Sequence, residues 1–194
     1  GKSYIATYNL NIKESKTFIE FSKHFKSLDL PVPEILAVNE NYTAYLQEDL
    51  GAESLLNQLE KFGYTDEVYN LFCKSLEQLS RIQIIGHQGL NYDLCLTAKE
   101  FGKQAILSDL LYFKYYFLDA LRRPYDKQKL LDDFEALSNY LTHTEYKYFM
   151  FRDFQSRNIL VTPPSPTLLE KGLGDEVHFI DYQGGMKGAP QYDV

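Results

Sequence analysis

Apolar positions along the chain change their period twice. Residues 3–8 (SYIATY) are β-branched and aromatic and predict a strand from Ser3 to about Tyr8. Residues 13–28 place Phe18, Phe21, Phe25 and Leu28 at helical spacing, and Pro31 and Pro33 stop that helix. EILAV and YTAYLQ read as two further strands, separated by the turn residues NEN. After Glu48-Asp49-Leu50-Gly51 the pattern becomes one of amphipathic helices, at about 54–61, 65–83, 103–122 and 127–142. In the third of these, Leu107, Leu110, Leu111, Leu118 and Leu121 share one face. The last third returns to short strands, YFMF, NILV and VHFID, with TPPSPTLLEKGLGDE read as a long hairpin loop between the latter two. No internal repeat or low-complexity tract interrupts this order. It predicts an α+β fold in two lobes. Residues 1–50 form a partial β-rich lobe with one helix, and residues 51–194 form a helical lobe carrying small strands.

Composition narrows the class. Of 194 residues, 44% are hydrophobic and 15% aromatic, ample for a packed core, and the 24% of charged residues is that of a globular chain. A formal charge of −7 argues against a nucleic-acid surface, which needs a basic face. It leaves room for a nucleotide, because phosphates can be held by backbone N–H groups and a bound cation. Cys73 and Cys95 form no CxxC, and His24, His87, His143 and His178 lack metal-ligand spacing, so free thiols and a cytoplasmic setting are expected. No run of eighteen apolar residues and no signal-peptide pattern is present, so no membrane role is expected. The chain starts at Gly1 rather than Met and reaches Val194 without a stop signal, which reads as part of a longer protein with incomplete N- and C-terminal parts and room for fused domains.

One stretch carries chemistry. FMFRDFQSRNILV, from Phe149 to Val161, sets a polar heptad between two apolar runs, with no glycine and two arginines. Asp153 and Asn158 stand five positions apart, the spacing of a kinase catalytic loop. There the aspartate takes the proton of the acceptor hydroxyl while the amide, at the far end of the same loop, faces the metal on the phosphates. Alone the spacing is weak. Its context strengthens it, because a second metal-type carboxylate, Asp181, ends the alternating strand of HFIDYQGG. A turn or cap aspartate is the plain alternative for Asp181.

FMFRDFQSRNILV followed by FIDYQGGMKGAPQYDV resembles the aminoglycoside phosphotransferase/choline kinase family, and more closely its branch of kinases for N-acetylmuramate and N-acetylglucosamine. The resemblance covers nearly the whole chain, and the helix with DLLYFKYYFL is similar to that branch as well. It implies a protein-kinase-like fold with ATP between two lobes and Mg²⁺ as the metal. Carried over by position, Asp153 would be the catalytic base, Asn158 and Asp181 the Mg²⁺ ligands, and Asp193 a brace on the catalytic loop. LQEDLG resembles the hinge, which would bring the backbone around Gln47, Glu48 and Asp49 to the adenine. Gln155 and Arg157, with tyrosines of the 112–116 stripe, would meet a small-molecule acceptor, and Arg152 would brace the loop through carbonyl or carboxylate contacts.

The chain also departs from the family. No glycine-rich phosphate loop is present, and the ATP lysine of the family's third strand falls near Ala6 or Thr7, neither of which is a lysine. Lys2 comes too early in the strand, and Glu14 and Glu20 both qualify as the helix glutamate. The remaining signals read plainly. Gly1-Lys2-Ser3 precedes a strand and is no P-loop, PPSP is a hairpin tip, and Asp132, Asp133 and Glu135 are a solvated face. YFKYYF reads as core, and His87 as a turn residue. The sequence thus points to an ATP- and Mg²⁺-dependent transferase acting on an N-acetylated amino sugar. A nucleotide-binding pseudokinase and an aminoglycoside kinase are the alternatives.

Overall fold

The structure, a computed structural model, describes residues 2–164 and 174–194. Its elements run β1 (Tyr4–Tyr8), α1 (Ile12–Ser27), β2 (Ile35–Val38), β3 (Ala44–Glu48), α2 (Leu55–Phe62), α3 (Asp66–Ile84), α4 (Lys103–Phe113) and α5 (Lys127–Thr142). Four short strands follow: β4 (Tyr148–Met150), β5 (Ile159–Thr162), β6 (Glu176–Phe179) and β7 (Met186–Gly188). Helices combined with small antiparallel sheets make this an α+β fold.

The first sheet is antiparallel in the order β1-β3-β2. Its register sets Thr7 opposite Tyr45 and Ile5 opposite Gln47, so these four share a face. Helix α1 begins at Asn11, whose side chain accepts from the Glu14 N–H. It ends just before Asp29, whose φ of 55° turns the chain toward Pro31. Phe18, Ile19, Phe21 and Phe25 of α1 are buried. The Phe25 ring lies 5.0 Å from that of Phe149 and 5.5 Å from that of Tyr182, both edge-on. One buried cluster therefore joins α1 to the strands after residue 148. Each such ring contributes about 1.5–3 kcal/mol by leaving water.

Strand β5 pairs with β6, Ile159 opposite Phe179, and β4 pairs with β7, Phe149 opposite Lys187. Val177 and Phe179 are buried while His178 and Ile180 are half-buried, the alternation expected of a strand with one covered face. Helix α2 opens on a capping box between Ser54 and Asn57, and α3 on the Thr65 cap.

Two readings from the sequence need correction. The helix expected over 103–122 is α-helical only to Phe113 and continues as a π-helical stretch, Lys114–Asp119. The leucine face and the YFKYYF stripe are not core: Ile106 is the one buried residue of α4, while Leu111, Tyr112, Phe113, Tyr115, Tyr116 and Phe117 are exposed. Of the hairpin loop expected between β5 and β6, residues 165–173 lie outside the described residues. Among the described residues no helix is long and apolar enough to cross a membrane.

Candidate active site

The polar heptad leaves β4 as a buried backbone held by one carboxylate. Phe149, Met150 and Phe151 are wholly buried, and Arg152 turns the chain with φ 74°. Asp193 accepts the N–H of Phe151 and of Arg152, each at 2.8 Å, and Gln83 of α3 donates its Nε2 to the same carboxylate at 2.8 Å. Burial pushes the Asp193 carboxyl above its ordinary pKa, these three donors pull it back, and the charge of Asp153 adds to the rise. The Arg152 guanidinium reaches both oxygens of Asp109 on α4 at 3.0 Å and lies over the Phe101 ring at 5.6 Å. Tyr192 donates its hydroxyl to Asp109 at 3.2 Å.

Beyond this clamp, Asp153 is exposed, and its Oδ2 lies 3.4 Å from where a Cβ on Gly184 would stand. Asn158, in a 3₁₀ turn before β5, donates Nδ2 to the Asp153 carbonyl at 2.9 Å and to Asp181 Oδ2 at 3.3 Å. Its Oδ1 is the atom left for a cation. The Ile180 N–H donates to the Asn158 carbonyl at 3.0 Å, tying the two segments by backbone. Asp181 itself is exposed at φ 66°, between this bond and the buried Tyr182. Tyr182 stacks on Phe18 at 5.4 Å and shares a 2.6 Å hydrogen bond with Ser22 of α1, and burial pushes its phenol pKa up. Gln183 donates Nε2 to Asp181 Oδ1 at 2.8 Å. Asp153, Asn158 and Asp181 thus stand together.

The donor set suits a hard cation. One carboxylate and one amide oxygen, with room for water and phosphate oxygens, is how Mg²⁺ is usually held. Among the described residues no cluster of three or more His, Cys, Asp or Glu side chains could hold a metal by itself. Asn158 and Asp181 open onto a cleft of about 340 Å³, walled on the other side by Glu14 and Ser15 of α1 and by Tyr45 and Gln47 of β3. Of the two candidate helix glutamates the cleft takes Glu14, while Glu20 pairs with Lys23 at 3.0 Å.

The other candidates fall as follows. Gln47 points its side chain into the cleft. Glu48 turns away to Lys26 at 3.3 Å and to the Glu34 N–H at 3.2 Å. Asp49 accepts the Gly51 N–H at 2.9 Å, which holds its carboxyl below the ordinary value. The ladder ends at the Tyr4–Glu48 pair, so the Asp49 backbone lies beyond it. Gln155 and Arg157 are exposed on the turn between β4 and β5, and Arg157 has no ion pair among the described residues. The tyrosines of the 112–116 stripe are exposed on another element. A larger cavity of about 460 Å³, between α1, α3 and β6, contains none of these residues.

A family model described as "phosphotransferase enzyme family" matches residues 11–194. The chain belongs to this family. Membership in the phosphotransferase enzyme family makes transfer of a phosphoryl group the activity to expect of the chain. A search of curated proteins returned no match.

Several residues around this candidate site carry no signal in the sequence. Gln83 and Asp109 sit on amphipathic helices, where a polar residue reads as solvated. Ser15 and Gln183 are neutral, and no spacing rule marks a neutral side chain.

Proposed function

We propose that the chain is an ATP- and Mg²⁺-dependent kinase that phosphorylates a hydroxyl of an N-acetylated amino sugar. The observation that carries this reading is that Asn158, on the cleft that Gln47 lines, donates both to Asp181 and to the Asp153 carbonyl, with the Asp153 carboxylate beside Gly184. Held at Asn158 Oδ1 and Asp181, the cation would neutralise charge on the transferred phosphoryl group. Asp153, exposed and next to Gly184, would accept the proton of the acceptor hydroxyl and orient its oxygen. Asp193 keeps that carboxylate in place through the Phe151 and Arg152 N–H groups. Gln47 and Glu48 are held in the ladder, the Glu48 N–H going to the Glu34 carbonyl at 2.9 Å, so of the Gln47–Asp49 backbone it is Asp49, beyond the ladder, that would offer adenine its polar groups.

For the acceptor, support comes from resemblance and charge. Arg152 is neutralised by Asp109, so of the two loop arginines Arg157 alone presents an unpaired charge. That charge opposes a polycationic aminoglycoside and suits a neutral or anionic sugar. A coupled ADP-release assay with N-acetylmuramate, N-acetylglucosamine and kanamycin tests it. Turnover with either sugar and little with kanamycin is expected, and the reverse would replace the acceptor while leaving the transferase. A second reading, a nucleotide-binding pseudokinase, is favoured by the lack of lysine or arginine along the cleft among the described residues. Absence of turnover with every acceptor, together with ATP stabilisation that ignores Mg²⁺, would select it.

A further inference from the structure

Arg152 is gripped twice. Its N–H goes to Asp193 Oδ1 at 2.8 Å, and its guanidinium leaves the turn for Asp109 of α4, 3.0 Å from each carboxylate oxygen. The Arg152 and Asp109 side chains are 23% and 37% exposed, so water screens the pair only in part. Its surroundings hold it in register. The Phe101 ring lies against the guanidinium at 5.6 Å and meets the Tyr192 ring edge-on at 5.0 Å, while Tyr192 donates to Asp109 Oδ2 at 3.2 Å. Phe101 is tied to β7 in turn, its N–H donating to the Lys187 carbonyl at 2.8 Å. Packing, hydrogen bonds and charge together fix α4 against the turn.

What the pair does follows from the next residue. Asp153 comes directly after Arg152, consecutive Cα atoms stand about 3.8 Å apart, and an arginine side chain is longer than that. Among the described residues the Asp153 carboxylate has no hydrogen-bond or ion-pair partner. Asp193, the other carboxylate close by, feels the charge of Asp153 but is already engaged by two backbone N–H groups and the Gln83 amide. A guanidinium released from Asp109 therefore has one free carboxylate beside it, and that carboxylate is the proposed base. Arginine grips a carboxylate through parallel N–H bonds, and a carboxylate so held can neither turn to a hydroxyl nor take its proton.

We propose that Asp109 is a positioning residue, which draws the Arg152 guanidinium onto α4 and so keeps the Asp153 carboxylate free to act as base. This rests on the phosphotransferase reading above and adds how a base works with an arginine next to it in the chain. On this account, losing the Asp109 charge does more harm than losing the pair.

Steady-state ADP release by the whole protein, with MgATP and N-acetylmuramate or N-acetylglucosamine, tests this across four variants. Asp109→Asn keeps the side chain's size and an oxygen for the Tyr192 hydroxyl while removing the charge. It should lower kcat about 10- to 100-fold, the worth of a charge-assisted hydrogen bond on the base, with KM for MgATP unchanged. Asp109→Glu should recover most of that loss. Arg152→Gln alone should cost less than Asp109→Asn. Adding Arg152→Gln to Asp109→Asn should bring turnover back up to the level of Arg152→Gln, because no guanidinium is left to seize the base. A plain brace predicts two single variants and a double that are equally slow, and that result overturns the proposal. Crystals of Asp109→Asn decide it without turnover. A guanidinium within about 4 Å of the Asp153 carboxylate supports the proposal, and one still against Phe101 overturns it. Absence of turnover from the unaltered protein with every acceptor removes the transferase reading instead, and the crystals alone then decide where Arg152 goes.

Discussion

Asp153 is exposed and unclamped at its carboxylate, while its main chain is fixed on both sides, by Asp193 behind it and by the Asn158 amide ahead. That division lets chemistry and scaffold be separated by substitution. Asp153→Asn should lower turnover by about 10²-fold or more, the value of a positioned general base, with MgATP affinity and melting temperature nearly unchanged. Unchanged turnover would remove Asp153 from the reaction. Asp193→Ala should behave differently, since it leaves two backbone N–H groups unpaired in a buried place and leaves the Gln83 amide only the Pro190 carbonyl, at 3.0 Å, as acceptor. A loss of about 2–4 kcal/mol in denaturant unfolding is expected, with turnover falling as the loop loosens. The candidate residues Asp153, Asn158 and Asp181 stand out in the sequence because ionisable and metal-binding groups are rare between apolar strands. The atoms that hold them were not. Gln83 and Asp109 look solvated until the fold brings residues 110 and 43 positions away against them.

Among elements, the strands and four of the helices follow the apolar period closely, because a covered face must repeat with the backbone. The exception is instructive. Through Lys114–Asp119 the helix widens by one residue per turn, and Lys114 and Tyr125 both bond the Asp119 carboxylate, at 2.8 and 2.6 Å. Apolar spacing cannot register so small a slip. The same period also could not say that this leucine and tyrosine face stays exposed, since a stripe records what could be covered and not what covers it. At the β4–β7 pair the constraint is a close approach. A Cβ on Gly185 would stand 2.4 Å from Phe149 Cζ and 2.9 Å from the Met150 carbonyl oxygen. Gly185→Ala should therefore destabilise the protein by about 1–3 kcal/mol and disturb the entrance to the catalytic turn. Chemical denaturation that shows no change would mean the Phe149 ring can move aside.

For the molecule as a whole, two histidines set a pH response. Burial lowers the pKa of His178 and of His87 from the ordinary 6.5, with Lys187 adding to the effect at His87. Below pH 6.5 the unfolded chain then binds more protons than the folded one, so stability is full above that value and falls as pH drops through it. Asp193 acts oppositely and lower, its raised carboxyl favouring the folded state as pH falls toward the ordinary 3.8. Unfolding followed from pH 7.5 to 5.5 should show the histidine loss, and a His87→Gln, His178→Gln double variant should flatten it (a slope that persists would assign it to other groups). The carboxylate clamp has a further consequence, in time. Asp193 holds Phe151 from 42 positions along the chain and Gln83 from 110. A ribosome releases the chain from its N-terminal end, so α1, the first sheet and α3 emerge and can collapse well before Asp193 exists. Until then the turn after β4 has no anchor, and the rings of α1 still lack Tyr182, their partner in the core. Competence therefore has to arrive late, when a single carboxylate reaches two waiting amides.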